Sequence, residues 1–291
     1  MTETAQPAFQ PGVLYIVATP IGNLGDITYR AVEVLRQAGL VVVEDSRHSA
    51  KLLQHYDVNA SRYVLHDHNE RENSIHLVEK LQQGVDVALI SDAGTPLISD
   101  PGYWLIQRAI ENSIKVVPVP GPSAAITALS VSGLPSDRFC FEGFLPAKSG
   151  ARQKALQALA SEPRTLIFYE APHRIIDSLG AMVDAFGSER PAVIARELTK
   201  TFETVLRGSL ESLLAQVGAD TNQQKGEFVV LVQGTGREPA LRQTEQDALL
   251  EILLEAVPLK TAASLASRIT GVKKNQLYDR ALQLKHSKAG D

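Results

Sequence analysis

Cysteine is nearly absent: Cys140 is the only one in 291 residues. That excludes a disulfide framework within the chain and any knuckle built from several thiolates, and it points to a reducing, cytoplasmic setting. Long apolar runs are missing too. No stretch approaches the roughly 18 apolar residues that a membrane-spanning helix needs, so no membrane partner is expected. Met1 to Gln10 carries Glu3 and has neither a basic start nor an apolar middle, so it does not read as a secretory signal. Nor is positive charge in excess. Lys and Arg number 29 against 33 Asp and Glu, a formal net charge of −4, which leaves no general affinity for a polyanion and confines any nucleic-acid contact to a local basic surface.

Familiar site signatures are missing as well. No G-x-x-x-x-G-K-[ST] occurs, and Thr19-Pro-Ile-Gly-Asn-Leu-Gly25 is not the G-x-G-x-x-G dinucleotide loop, so ATP and nicotinamide chemistry lose support. Gly234-Thr-Gly236 half-resembles that loop but has no following strand to complete the βαβ unit. Gly121-Pro-Ser123-Ala-Ala125 fails the G-x-S-x-G elbow at its last position, which argues against a serine hydrolase. His66 and His68 lie two apart, a spacing that ordinary polar loops also show, and no metal is expected.

What is present is a regular alternation. Apolar residues make up 44% of the chain, enough for a sizeable core in one large or two medium domains. Val13–Ala18, Leu40–Val43, Arg62–Leu65, Asp86–Ser91 and Lys115–Val119 read as five short strands, each followed by a helical pattern. One helix should start at Ser46 with Ser46 or Asp45 as cap, another at Asp100-Pro101, and a third at Pro122. Alternation of this kind predicts a parallel sheet with helices on both faces.

The pattern changes near residues 134–146, where Phe139–Pro146 reads as a strand leaving the first domain. Thr165–Tyr169, Ala192–Ala195, Glu203–Leu206 and Glu227–Val232 then offer four strands, some too closely spaced for helical crossovers, which predicts a mixed sheet. Gly234–Ala240 reads as a linker, and two helical runs broken at Gly271 outline a helix-turn-helix. The expectation is therefore an α/β protein of two α/β domains, residues 1–138 with a parallel five-stranded sheet and 139–235 with a mixed one, then a small helical domain over 236–291. Between Val257 and Lys288, seven basic residues (Lys260, Arg268, Lys273, Lys274, Arg280, Lys285 and Lys288) face Asp279 alone, a local charge of +6 that suits either a solvated helix face or a nucleic-acid contact.

The chain is organised around Ser91-Asp-Ala-Gly-Thr-Pro-Leu-Ile-Ser-Asp-Pro-Gly102, a loop between an apolar strand and a helix. In open α/β sheets such loops line the ligand crevice. Rich in Gly, Pro, Thr, Ser and Asp and poor in positive charge, these strand ends suit a neutral or zwitterionic nucleoside-like ligand, in an enzyme or in a binding protein.

Six stretches in order, Ala18–Asp26, Glu44–His48, Ser91–Gly102, Pro118–Ala125, Phe141–Pro146 and Tyr169–Arg174, resemble the tetrapyrrole-methylase superfamily, and within it the members that act on small-subunit ribosomal RNA. The resemblance spans residues 13 to 235. It implies two α/β domains with S-adenosylmethionine between them, held by Pro20, Asp92, Gly94, Thr95, Pro96, Ile98, Ser123, Ala124, Glu170 and Ala171. It implies transfer of a methyl group to the ribose 2′-hydroxyl of a cytidine in the decoding region of 16S rRNA within the small ribosomal subunit, by a homodimer. A ribose hydroxyl is a weak acid, so a base should assist. Glu170 and Asp45 are the candidates for that role, and Arg47, His48, His173, Arg174 and Lys148 the candidates for substrate contact, with Arg152 and Lys154 extending the basic surface. For each, a helix cap or a surface ion pair is the alternative. A methyltransferase acting on a corrin or another small molecule, and a non-catalytic RNA-binding assembly factor, are the competing readings.

Overall fold

The computed structural model describes residues 10–66, 69–236 and 243–287, without the side chains of 243–245, 286 and 287. The start of the chain, His68, Lys288 and the linker residues 237–240 lie outside the described residues. The chain divides into two compact units, residues 1–157 with 165–233, and residues 158–164 with 234–291.

The first unit holds two sheets. In the first sheet β1 (Leu14–Val17), β2 (Leu40–Val43), β3 (Ser61–Val64), β4 (Val87–Leu89) and β5 (Val116–Val119) are all parallel, in the order β3-β2-β4-β1-β5. The helices between them are α1 (Tyr29–Gln37), α2 (Ser46–His55), α3 (Glu70–Gln82), α4 (Tyr103–Glu111) and α5 (Ala124–Ser132). Alternate residues of one strand go to opposite faces. Val42 joins Leu77, Leu81 and Leu105 under α3 and α4, while Val41 and Val43 join Leu35 and Leu53 under α1 and α2. Helix α5 departs from this scheme: Ala125, Ala128 and Leu129 bury against Ile167, Val193, Val229 and Leu231 of the second sheet.

Helix α4 also begins differently from expectation. Asp100 does not cap it. The cap position is Gly102, at φ +134°, where a Cβ would fall 2.7 Å from Leu89 Cδ2, so only glycine lets the chain turn this close to β4. The orphan amide of Trp104 instead donates to Glu70 Oε1 of α3 at 2.6 Å, which leaves Asp100 to another surface.

The second sheet has five strands rather than four: β6 (Phe139–Phe144), β7 (Thr165–Glu170), β8 (Pro191–Arg196), β9 (Thr204–Ser209) and β10 (Phe228–Val232), in the order β6-β7-β10-β8-β9. The segment read as leaving the first domain is thus an edge strand here. It pairs parallel with β7 because α6 (Ser149–Ala158) supplies the crossover that parallel pairing requires, whereas the other neighbours are antiparallel. One extra residue, Glu142, bulges out between Phe141, opposite Ile167, and Gly143, opposite Phe168. Helices α7 (Ile175–Phe186) and α8 (Leu210–Ala219) complete this half.

In the second unit α9 (Gln243–Ala256), α10 (Leu259–Thr270) and α11 (Lys274–Ser287) enclose a core of Leu250, Ala263, Ala266, Leu277 and Ala281. Gly271 breaks α10 from α11 in the left-handed conformation, as the helix-turn-helix outline requires. Arg280 is bound by Asp247 through two bonds of 2.7 and 2.6 Å, so one of the seven basic residues is occupied within the unit. Lys273, Lys274, Asn275 and Gln276 are exposed at the start of α11. No described helix is long and apolar enough to cross a membrane.

Candidate active site

Four loops at the carboxyl ends of the parallel strands are tied into one rim, and the Ser91–Gly102 loop is the hub. Thr19, after β1, and Gly94, after β4, exchange both backbone bonds, at 2.8 and 3.1 Å. Thr95 Oγ1 donates to the carbonyl of Pro122, after β5, at 2.9 Å. Asp92 reaches the loop after β2: its Oδ1 accepts from the Asp45 amide at 3.1 Å and its Oδ2 lies 2.9 Å from His48 Nδ1. The hub is a strained turn, with Leu97 at φ +73° and Ser99 at φ +71°. Left-handed non-glycine residues cost on the order of 1 kcal/mol each and gather at functional sites.

The rim opens on a cavity of about 380 Å³ within the first unit. From the loops it is walled by Ile21, Asp92, Gly94, Thr95, Ile98 and Ala124; from the second sheet, by Phe144, Tyr169, Ala171, Leu198, Phe228 and Val229. Gly94 adopts φ +84°, a conformation that favours glycine, and a Cβ there would stand in ordinary contact with Ile21 Cγ2 at 3.4 Å, so any longer side chain would grow from this wall. The Tyr169 ring meets Phe141 and Phe144 edge-on, with centroids 4.8 and 5.6 Å apart, and its hydroxyl accepts from the Ala125 amide at the start of α5 at 3.2 Å. Burial pushes the Tyr169 phenol above the ordinary tyrosine range, so it stays neutral.

The charge of the wall is one-sided. Glu44, Asp92, Asp100, Glu170 and Glu227 are among its lining residues, and among the described residues no Lys, Arg or His is. A phosphate would be repelled there; a cation would not. Glu227 is partly balanced by Lys200, 3.1 Å away, which also binds Glu197 at 2.8 Å. Burial alone would raise Glu197, but its bonds to Lys200 and the Glu227 amide outweigh burial and hold it below the usual carboxylate range.

Of the ten residues expected at the cofactor, Asp92, Gly94, Thr95, Ile98, Ala124, Glu170 and Ala171 are brought together on this wall. Pro20 and Pro96 are buried beside it in the chain, and Ser123 is the cap residue of α5. The two carboxylates expected to act as bases are both engaged. Glu170, with 1% of its side chain exposed, accepts from Ser178 Oγ at 2.5 Å and from the Ala171 amide at 2.8 Å, and pairs with Arg174 at 3.1 Å. Asp45 is the cap of α2, and the Arg47 amide, then the Arg47 guanidinium, hold its carboxyl below the usual range. Among the expected substrate contacts, Arg47, His48, His173 and Lys148 are exposed, whereas Arg174 is turned to Glu170 and the Leu145 carbonyl. Arg152 is buried, facing Asp177 at 3.7 Å, and cannot extend a basic surface. Sequence reasoning missed Ile21, Phe144, Leu198 and the Glu227–Val229 stretch; the aromatic residues within two of the quoted motifs were the available signal.

A family model described as tetrapyrrole (corrin/porphyrin) methylases matches residues 13–214, and one described as the RsmI C-terminal HTH domain matches residues 240–285. The chain is 57% identical to the ribosomal RNA small subunit methyltransferase I of Pseudomonas aeruginosa, over 94% of this chain and 97% of that one. It is 55% identical to the protein of the same name from Escherichia coli O157:H7, over 94% and 95%. Among solved structures, diphthine synthase superposes with a TM-score of 0.62 at 19% identity, covering 77% of this chain and 90% of that one. The methyltransferase CobJ superposes with a TM-score of 0.58 at 17% identity, covering 77% and 95%. At such identities these two speak for the fold alone.

Proposed function

Given that the chain belongs to the tetrapyrrole (corrin/porphyrin) methylase family, we propose that it is an S-adenosylmethionine-dependent methyltransferase that 2′-O-methylates the ribose of a cytidine in the decoding region of 16S rRNA, on the small ribosomal subunit. The observation that carries the donor is the wall itself: five acidic and three aromatic residues line the cavity, and no described basic residue does. That lining suits a ligand with a sulfonium and an ammonium, since cations are favoured by carboxylates and by ring faces. The volume of about 380 Å³ falls in the range of roughly 300–1,000 Å³ usual for small-molecule sites. When bound, S-adenosylmethionine supplies an electrophilic methyl group for in-line displacement.

Asp92, Gly94, Thr95, Ile98 and Ala124 on the loop side, with Glu170 and Ala171 opposite, are the residues assigned to hold it. Pro20, Pro96 and Ser123, each next in the chain to one of the lining residues, complete the assigned set. Glu170 fixes the start of α7 rather than moving a proton. Arg47, His173 and Lys148, outside the cavity, are assigned to binding the RNA, with His48 facing the reacting ribose, and the exposed start of α11 offers a second basic contact. The ribosomal substrate is supported by the name shared by the relatives that match nearly the whole chain. The homodimer rests on the family resemblance, and the cytoplasmic setting on the single cysteine.

The test is transfer of labelled methyl from S-adenosylmethionine to small subunits isolated from cells lacking this gene, with the product mapped as ribose or base methylation. Ribose label on one cytidine is the expected result. Donor binding without transfer to the subunit or its free RNA would put a small-molecule substrate in its place.

A further inference from the structure

We propose that His48 is the general base of the transfer and that Asp92 orients it, an inference that rests on reading the site as a ribose O-methyltransferase. Each carboxylate near the cavity already has work. Glu170 is bonded through both oxygens, Asp45 caps α2, Glu227 pairs with Lys200, and Glu44 and Asp100 have partners of their own. A carboxylate so held has lost much of its basicity. The imidazole of His48 is differently placed. Its Nδ1 is 2.9 Å from Asp92 Oδ2, and a carboxylate can only accept, so the proton of the neutral ring sits on Nδ1. Nε2 then carries the lone pair, and no bond to it is found among the described residues. Orienting a ring through one nitrogen so that the other can act is the usual way a histidine is readied for proton transfer.

Position agrees with that role. Asp92 itself lines the cavity, which puts the ring at the mouth rather than inside, and 72% of the His48 side chain is exposed. A ribosomal substrate is too large to enter the cavity and must present its hydroxyl from outside. Asp45 Oδ2, 4.0 Å from Nδ1, and Arg47 on the same helix turn complete the charged surroundings. In the step, the 2′-oxygen bonds to the methyl carbon as the carbon–sulfur bond breaks. The electron pair of that bond goes to sulfur, and the hydroxyl proton goes to Nε2 and then to water.

The experiment uses the full chain with unmethylated small subunits. His48→Gly should lower kcat by about 100-fold or more, with the Kd of S-adenosylmethionine and of the subunit changed by no more than about twofold, and added imidazole should restore turnover in a concentration-dependent way. A loss confined to KM, with no rescue, would overturn the proposal and leave His48 as an RNA contact. Nitrogen-15 spectra of labelled histidine give a readout apart from turnover: a proton on Nδ1 of His48 is expected, and a ring protonated on Nε2 alone would overturn the assignment. Wild-type protein that binds the donor yet labels no ribose would instead defeat the reading of the site, a result distinct from an active His48→Gly variant.

Discussion

The two sheets of the first unit contribute to one cavity by opposite means. The parallel sheet sends loops from its strand ends, so its side is made of backbone, small polar groups and strained turns held by Thr19–Gly94, Thr95–Pro122 and Asp92–His48. The mixed sheet supplies Tyr169, Phe144, Ala195 and Phe228, side chains on or at the ends of its strands, with Leu198 on the following turn. A parallel ladder gathers its connections at one end, and loops tolerate the conformations that admit a ligand. A largely antiparallel ladder offers fixed side chains instead. The lesson is a division of labour between a shaped rim and a rigid apolar wall.

That division can be broken most severely at Glu170. Glu170→Ala would strip Arg174 and Ser178 of their partner and should cost about 3 kcal/mol in a urea melt, the size expected for a broken buried pair. Glu170→Gln keeps the shape and should retain kcat within about tenfold; a fall beyond 100-fold at unchanged stability would make Glu170 a base after all. On the opposite bank, Gly94→Val places a β-branched residue at φ +84° against Ile21. The backbone cost of about 1–2 kcal/mol and the filled wall should lower S-adenosylmethionine affinity by about 100-fold, read by calorimetry on protein that remains folded by circular dichroism. Unchanged affinity would count against the rim as the donor site.

A smaller effect is expected where the banks meet. Tyr169→Phe removes the acceptor of the Ala125 amide and should cost about 1 kcal/mol. Because burial raises the phenol, the unfolded chain ionises first, so wild-type stability should fall as pH rises past about 10, and the variant should lack this alkaline loss. The smallest change belongs to the second unit. Hydrogen bonds from Arg280 hold Asp247 below the ordinary carboxylate range, so their contribution is present above the unfolded value of about 3.9 and is lost as pH falls through the lower, folded one. Arg280→Met should erase that acid sensitivity in the exchange of the Leu277 and Ala281 amides while leaving donor affinity as it was.

The loop side was the legible side. Apolar runs such as Leu40–Val43 and Val87–Leu89, bounded by Gly and Asp, announce buried parallel strands, and Asp45 before Ser46 announces a cap that the structure contains. The hub loop was recognisable from its Gly, Pro and Ser content. What stayed hidden depends on partners far along the chain. Asp100 has the composition of a cap, but Glu70 of α3 does that work, and nothing local to Asp100 reports it. Leu198 reaches the cavity because Glu197 and Thr199 adopt φ +50° and +67°, conformations that neither residue type advertises. Basic charge misled in the same way: Arg152 and Arg280 count toward a positive surface by type, and pair with carboxylates in fact.

The bulge at Glu142 has a consequence of phase. Residues three apart on a regular strand point to opposite sides, so Phe141 and Phe144 should never reach the same ring. One surplus residue shifts the count by one, and both then fall on the face of Ile167 and Tyr169. The aromatic wall is therefore specified by arithmetic as much as by chemistry. A substitution at position 142 that keeps the bulge preserves it, whereas removing that single residue would turn Phe144 away with every phenylalanine still in place.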